Sequence, residues 1–527
     1  MKRLLGFLLL FILLILGISA VWAWVQLRDR FPNYQIDLHI QEPEQAVVLQ
    51  AGFAKTSITP SIPDSWTDVN QDATFQPDDG DIFDDRNGNG KFDTQWIAGF
   101  GQRRAALGVH DSLWARAVVF DDGLTRMAIV VIDAIGFGHD DVVRVRQRIS
   151  ESAGLTYVTI TSTHVHQAPD LIGLWGKGYL SSGVDPAYME LVVSQTARAV
   201  EQAVEALEPA NLRIAQDLSG AEALLTDTRD PKVFDPGLRI IQAIGQPNGQ
   251  TLGTLLFWAD HPETLWSDNL LISSDFPHAF RQGVEQGVYD GDSLVVAGVG
   301  GISLYINGAI GGLMTTHPTT PIPDPFRDTT YLEPSFDKAE AQGKQLALLT
   351  LAALRDSSAE TIDKGGISLY ATSLLLPLDN HLFRLAATLG IFERGMPKWM
   401  QMRSELAVWQ IGPISCLQMP GEIYPELLYG GIEAPIGQDF EIDPVEVPPL
   451  EQFMPGTYKC VIGMANDMIG YIIPKSEWDA DPPYLYESEH AHYGEVNSIG
   501  PETAPLLYKE TRALLKGLSS KATSTHP

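Results

Sequence analysis

The stretch from Arg126 to Ser162 narrows the fold more than any other part of this chain. Arg126-Met-Ala-Ile-Val-Val-Ile-Asp133 is an apolar run of β-formers, and Tyr157-Val-Thr-Ile-Thr-Ser162 is a second one. Between them, Asp140 to Ala153 sets Val142, Val143, Val145 and Ile149 among charges, as an amphipathic helix does. Strand, helix and strand in that order make a βαβ unit, and such units build parallel sheets covered by helices. Ligands of these sheets gather beyond the carboxyl ends of the strands. The expectation is an α/β fold with a mixed, largely parallel sheet, flanking helices and a metal site at the C-terminal strand ends. The 527 residues, 44% of them apolar and 19% charged, have the length and composition of a large globular domain with insertions.

The residues just beyond each β-rich run are chemically specific. The run ending at Ser162 continues into Thr163-His164-Val165-His166, where an extended chain points residues i and i+2 to one side. Leu252 to Asp260 runs into His261-Pro262, Ile411 to Met419 into Pro420-Gly421-Glu422, and Tyr458 to Met464 into Asn466-Asp467 and Gly470-Tyr471. His is the commonest zinc ligand. One such junction has little weight, whereas the recurrence of metal-competent side chains at strand ends makes a site.

These segments carry a resemblance. Ala51–Pro60, Gly108-Val-His110-Asp-Ser-Leu-Trp-Ala-Arg116, Thr163-His-x-His…Pro169, His261-Pro262, Pro420-Gly-Glu422 and Gly470-Tyr471 stand in the order found in neutral/alkaline (non-lysosomal) ceramidases. The similarity runs from about Ala51 to Leu507. The resemblance implies one zinc held by His164, His261, Glu422 and Tyr471, with Arg229 and Tyr486 polarising the scissile carbonyl or stabilising its oxyanion. It also implies His166 close to the reaction. Asp260, Asn466 and Asp467 suit supporting positions around the ligands, and His110 suits a structural one. Two imidazoles and a carboxylate leave an open position on zinc, as a catalytic site requires.

One departure matters. The family serine often assigned as nucleophile has no counterpart in Tyr305-Ile-Asn307-Gly-Ala-Ile-Gly311-Gly312-Leu-Met314-Thr315, where Gly312 or Met314 takes its place. Attack by zinc-activated water needs no serine, so the expected activity is zinc-dependent hydrolysis of the amide of an N-acyl lipid such as ceramide. A metallo-esterase or other hydrolase on this scaffold, and a non-catalytic metal-binding envelope protein, are the rival readings.

The ends and the charge place the protein. Lys2 and Arg3 precede an apolar run from Leu4 to Val25, long enough for a bilayer. Its length favours an uncleaved anchor with the bulk of the chain outside the cytoplasm, and Ala20-Val-Trp-Ala23 keeps a cleaved signal peptide and a secreted product open. The expected organisation is anchor or signal 1–25, stalk 26–50, catalytic domain 51–517 and flexible tail 518–527. A net charge of −30 repels phosphate backbones and argues against nucleic acid. An acidic insertion at 64–96 holds nine Asp between Asp64 and Asp93 against Arg86 and Lys91. Within it Asp85, Asn87, Asn89, Lys91 and Asp93, with Gly90 at the sixth position, match the first three-quarters of a calcium loop. Trp96 at the twelfth position makes that match incomplete, and a solvated turn-rich loop is the alternative. Cys416 and Cys460, the only cysteines, exclude a disulfide scaffold or a cysteine-built zinc site.

Overall fold

The computed structural model describes residues 2–312 and 314–519, so most of the expected tail, 520–527, lies outside the described residues. The first element is α1 (Lys2–Leu27), with a mean hydropathy of 3.0 over its most apolar 18 residues and nearly all its apolar side chains exposed, Leu27 being buried. Its length and composition suit a membrane span, and a signal sequence meets the same measure.

Twelve elements build the first half of the fold: β1 (Gln50–Ser57), β2 (Trp114–Asp121), β3 (Arg126–Ile132), α2 (His139–Arg148), β4 (Tyr157–Ser162), α3 (Pro186–Glu205), β5 (Glu208–Asp217), β6 (Leu238–Gly245), β7 (Thr251–Trp258), α4 (Phe276–Glu285), β8 (Ile302–Asn307) and α5 (Phe336–Arg355). Their strands form one sheet in the order β8-β7-β6-β5-β1-β2-β3-β4, with Glu360–Ile362 also paired to β5. The second half adds β9 (Ile367–Pro377), β10 (Gln401–Ile411), β11 (Ile414–Gln418), β12 (Glu422–Ile423), β13 (Tyr458–Ile462), β14 (Tyr471–Ile472) and α6 (Thr503–Ser519). Here Asp37–Ile40, β9, β10, β11 and β13 make a second sheet in that order.

The sheets pack face to face. Phe53, Phe120, Ile129, Phe257 and Ile306 of the first share a core with Leu369, Trp409, Ile414 and Cys460 of the second. Helices close both outer faces. α2 and α3 pack Val142, Val145, Val192 and Val200 on β2, β3 and β4, while α4 and α5 cover β6, β7 and β8 with Phe276, Phe280 and Leu346. α6 lays Leu507, Leu514 and Leu515 on the second sheet beside Met402, Leu406 and Val408. The architecture is therefore helix, sheet, sheet, helix.

The expectation of a largely parallel sheet is overturned: most strand pairs are antiparallel. The βαβ unit is real, since β3 and β4 pair in parallel across α2. Both faces of each sheet are covered, so even antiparallel strands read as continuous apolar runs, which imitates a parallel sheet in the sequence. In the large sheets the parallel pairs are few, and they are informative. They are β3/β4, β7/β8 and β11/β13, and the short β12/β14 is parallel as well. Each delivers chain to the same rim, and the side chains expected at the strand ends come together there in spite of the change of topology. Cys416 and Cys460 are register partners on β11 and β13, and both are free, buried thiols.

Candidate metal centre

Each functional side chain reaches the rim from one of those parallel pairs. β4 ends at Ser162, and His164 follows at φ +64, a conformation that L residues rarely hold without a functional reason. β7 ends at Trp258 and leads to His261. β12 begins at Glu422, in register with Tyr471 at the start of β14. All five of His164, His166, His261, Glu422 and Tyr471 are buried.

The imidazoles are oriented by main chain. His164 Nδ1 donates to the Ile135 carbonyl at 2.6 Å, and His261 Nδ1 donates to the Met314 carbonyl at 2.6 Å. That leaves each Nε2 for a ligand, which is how metal-binding histidines are usually held. Glu422 Oε2 stands 3.2 Å from His261 Nε2 and 3.6 Å from His164 Nε2. Donors on a tetrahedral zinc, at bond lengths of about 2.0–2.1 Å, lie about 3.4 Å apart, so these separations suit a shared ion. The donor atoms of His164, His166 and His261 fall within 4.8 Å of one another, a buried group that can hold a metal. Burial lowers His164 to about 3, whereas at His261 burial is outweighed by Glu422 and Glu263, which hold it at about 9. Burial, and then Glu422, push the Tyr471 phenol well above its ordinary value, and that phenol hydrogen-bonds Glu422.

His166 has a partner that sequence reasoning missed. Its Nδ1 lies 3.1 Å from Glu263 Oε2, at ion-pair distance, while neither ring nitrogen makes a hydrogen bond of good geometry among the described residues. Burial works to raise Glu263, but His166, His261 and Thr315 outweigh it and hold the carboxyl at about 2. The signal was present: His261-Pro262-Glu263 puts a carboxylate two residues beyond a ligand. Gly99 was also missed. A Cβ there would come within 2.5 Å of the His166 ring, so only glycine lets the imidazole sit where it does.

The expected supporting roles are corrected. Asp260 hydrogen-bonds Thr316 and Gln342, not His261. Asn466 ties Ile160 N–H, Tyr157 and Arg146 behind β4, and Asp467 is clasped by Arg394 and the His139 N–H. These residues fix the loop that carries Tyr471 and do not touch the imidazoles. His110 stacks on Phe336 with ring centroids 3.6 Å apart, away from the cluster.

Two cavities adjoin the centre. An apolar one of about 70 Å³ has His164, His166, Glu422 and Tyr471 in its wall, with Ile172, Trp175, Phe383, Phe392 and Ile499 opposite. A polar one of about 350 Å³ holds Arg229 and Tyr486, and Tyr493 lines both. Arg229 is paired with Glu426 and with Glu477 at 3.5 Å, and lies 4.3 Å over the Tyr424 ring, while its buried Nε has no hydrogen-bond partner among the described residues. Tyr486 is half-exposed, and burial followed by Glu433 and Glu477 raises its phenol to about 12. The structure thus groups the expected zinc ligands with His166 and sets Arg229 and Tyr486 next door. Gly312, at one of the positions where the family serine is missing, has φ +86, and a Cβ there would lie 3.0 Å from Arg229 Nε.

The acidic insertion forms a turn in which Asp85 accepts the N–H groups of Gly88, Asn89 and Gly90. Asn87 and Asn89 both donate to Asp93, and Lys91 N–H donates to Asn89. Asp68 accepts from Gln71, Asp72 and Ala73 in a similar turn, and the two turns are joined by pairing of Ser65–Thr67 with Ile82–Asp84.

No family model matches the chain, and no curated protein matches it. Solved structures do. The neutral ceramidase from Pseudomonas aeruginosa is similar with a TM-score of 0.61 at 14% identity, over 91% of this chain and 75% of that one. A ceramidase complexed with C2 gives a TM-score of 0.59 at 13% identity, over 90% of this chain and 76% of that one. The fold is ceramidase-like.

Proposed function

We propose that the chain is a zinc-dependent hydrolase that cleaves the amide of an N-acyl lipid. The observation that carries this reading is the orientation of His164 and His261: each gives Nδ1 to a backbone carbonyl and turns Nε2 towards Glu422. His164, His261 and Glu422 would hold the metal, with the Tyr471 phenol beside Glu422 as a further ligand or a hydrogen-bond donor. Zinc, when bound, supplies an activated water and polarises a carbonyl. His166, oriented by Glu263, takes a proton at Nε2 and returns it to the leaving nitrogen. The apolar cavity takes acyl chain and excludes water from the reacting bond. Arg229 and Tyr486 serve the polar side of the substrate, where Gly312 makes room for the guanidinium.

The ceramidase-like fold supports an amide as the scissile bond, and the exposed apolar α1 supports a membrane-anchored chain with the remainder outside the cytoplasm. Asp85, Asn87, Asn89 and Asp93, with the main chain at Lys91, are proposed as a structural calcium loop. The test is metal analysis of the full chain in neutral detergent, followed by hydrolysis of a dodecanoyl amide and the matching ester. About one zinc per chain and turnover of the amide are expected. Turnover of the ester alone would favour the esterase reading, and zinc without turnover of either would favour the binding-protein reading.

A further inference from the structure

The wall of the cavity beside the candidate metal centre holds more carboxyl groups than cationic ones. Asp230, Glu477, Asp479 and Glu495 line its 350 Å³, against the guanidinium of Arg229, which is already committed to Glu426 and Glu477, and the imidazole of His492. Asp479 is fully buried: Oδ2 accepts the Leu485 N–H at 2.7 Å and lies 2.8 Å from His492 Nε2, whereas Oδ1 has no partner among the described residues. A buried carboxylate oxygen without a donor is unfavourable unless a ligand supplies one. Glu495 gives one oxygen to the Asp479 N–H at 3.2 Å. Burial pushes Glu477 and Glu495 up to about 7, as happens to carboxyls that lack sufficient neutralising charge.

A bare metal ion does not suit this cavity. Among the described residues, the one group that brings three or more His, Cys, Asp or Glu donors within 4.8 Å of one another is the histidine cluster. The volume of 350 Å³ is also far more than an ion fills. An organic cation, with several N–H donors spread over a larger body, suits both facts. Tyr493 lines both cavities, and its ring lies 5.9 Å from that of Tyr471, so a short linker leads from the metal centre to the acidic wall.

We propose that this cavity is the subsite for an ammonium or guanidinium group on the amine side of the scissile bond, so that the preferred substrates are N-acyl amines with a cationic head. The position of the scissile bond rests on the amide-hydrolase reading; the charge preference does not.

The probes are the monododecanoyl amide of diaminobutane and dodecanoyl pentylamide, which replaces the terminal ammonium by a methyl group. Binding is measured by calorimetry on the full chain in neutral detergent after chelator treatment, and hydrolysis is then measured on the zinc-loaded protein. The cationic probe is expected to bind about tenfold more tightly, the effect of one charge-assisted hydrogen bond. Asp479→Asn and Glu495→Gln are each expected to cut that advantage to about threefold or less and to leave the neutral probe unchanged. Equal affinity of the two probes for the unmodified protein would overturn the proposal, whether or not either is hydrolysed. A tenfold preference without hydrolysis of either probe would uphold the subsite and remove the amidase reading. Where Asp479→Asn does not fold, Glu495→Gln and the unmodified protein still decide.

Discussion

At the scale of single residues, the centre depends on how few groups hold each imidazole. His261→Ala removes a proposed ligand and the partner of both Glu422 and the Met314 carbonyl, so metal affinity should fall by more than the about 10–100-fold of an outer-sphere change; equilibrium dialysis against zinc checks this. Gly312→Ser places a hydroxyl at one candidate position of the missing serine, yet it should impair the protein. The left-handed φ of +86 and the 3.0 Å approach to Arg229 Nε predict about 1–2 kcal/mol of destabilisation by urea unfolding and no gain in hydrolysis. Asp275 gives a pH prediction. Burial raises its carboxyl from 3.8 to about 6, so the folded state binds that proton more tightly than the unfolded chain. Its contribution is therefore fully present below about pH 3.8 and lost as pH rises through about 6. Asp275→Asn keeps an oxygen for the Phe276 N–H and cannot ionise, so its stability relative to the unmodified chain should improve by about 2 kcal/mol between pH 4 and 7.

At the scale of elements, the short parallel pair β12/β14 brings Glu422 and Tyr471 into register, and it needs close main-chain contact. Glu422 N–H donates to the Gly470 carbonyl at 3.0 Å, and a Cβ on Gly421 would come within 2.4 Å of that same oxygen. Gly421→Ala should therefore cost about 1–3 kcal/mol and separate the two site residues, read as joint loss of thermal stability and zinc content. Much of this level was legible in the chain. The β-run Tyr157–Ser162 is β4 as expected, and the run from Arg126 ends at Ile132, one residue short of the expected Asp133. The helix expected to Ala153 stops at Arg148, and Ser150 caps a separate short turn over Glu151–Ala153. Pairing direction was not legible, because burial on both sheet faces erases the alternation that marks antiparallel strands. Asp260, Asn466 and Asp467 looked like supports of the ligands from their adjacency in sequence; the carbonyls of Ile135 and Met314 take that role instead. A main-chain carbonyl is present at every position, so no residue type announces this one.

At the scale of the whole molecule, α1 is almost independent of the layers behind it. Of its apolar residues, Leu27 is the one counted in the buried core. A chain beginning at Arg28 should stay soluble without detergent and lose about 4 °C or less in Tm, and it should keep its zinc, measured by scanning calorimetry and metal analysis. The αββα layering explains why the rest needs no anchor: two sheets and three sets of helices enclose continuous apolar cores. The sequence by itself determined the local chemistry: which runs extend, which side chains end them, and that a metal site here has to be built without a cysteine cluster. Those properties follow from residue type and spacing along the chain. Only the tertiary structure decided that the parallel pairs share one rim, that Glu263 faces His166, and that Arg229 lies in a separate acidic cavity. These are contacts between segments distant in sequence, created by layer packing, and no local pattern encodes them.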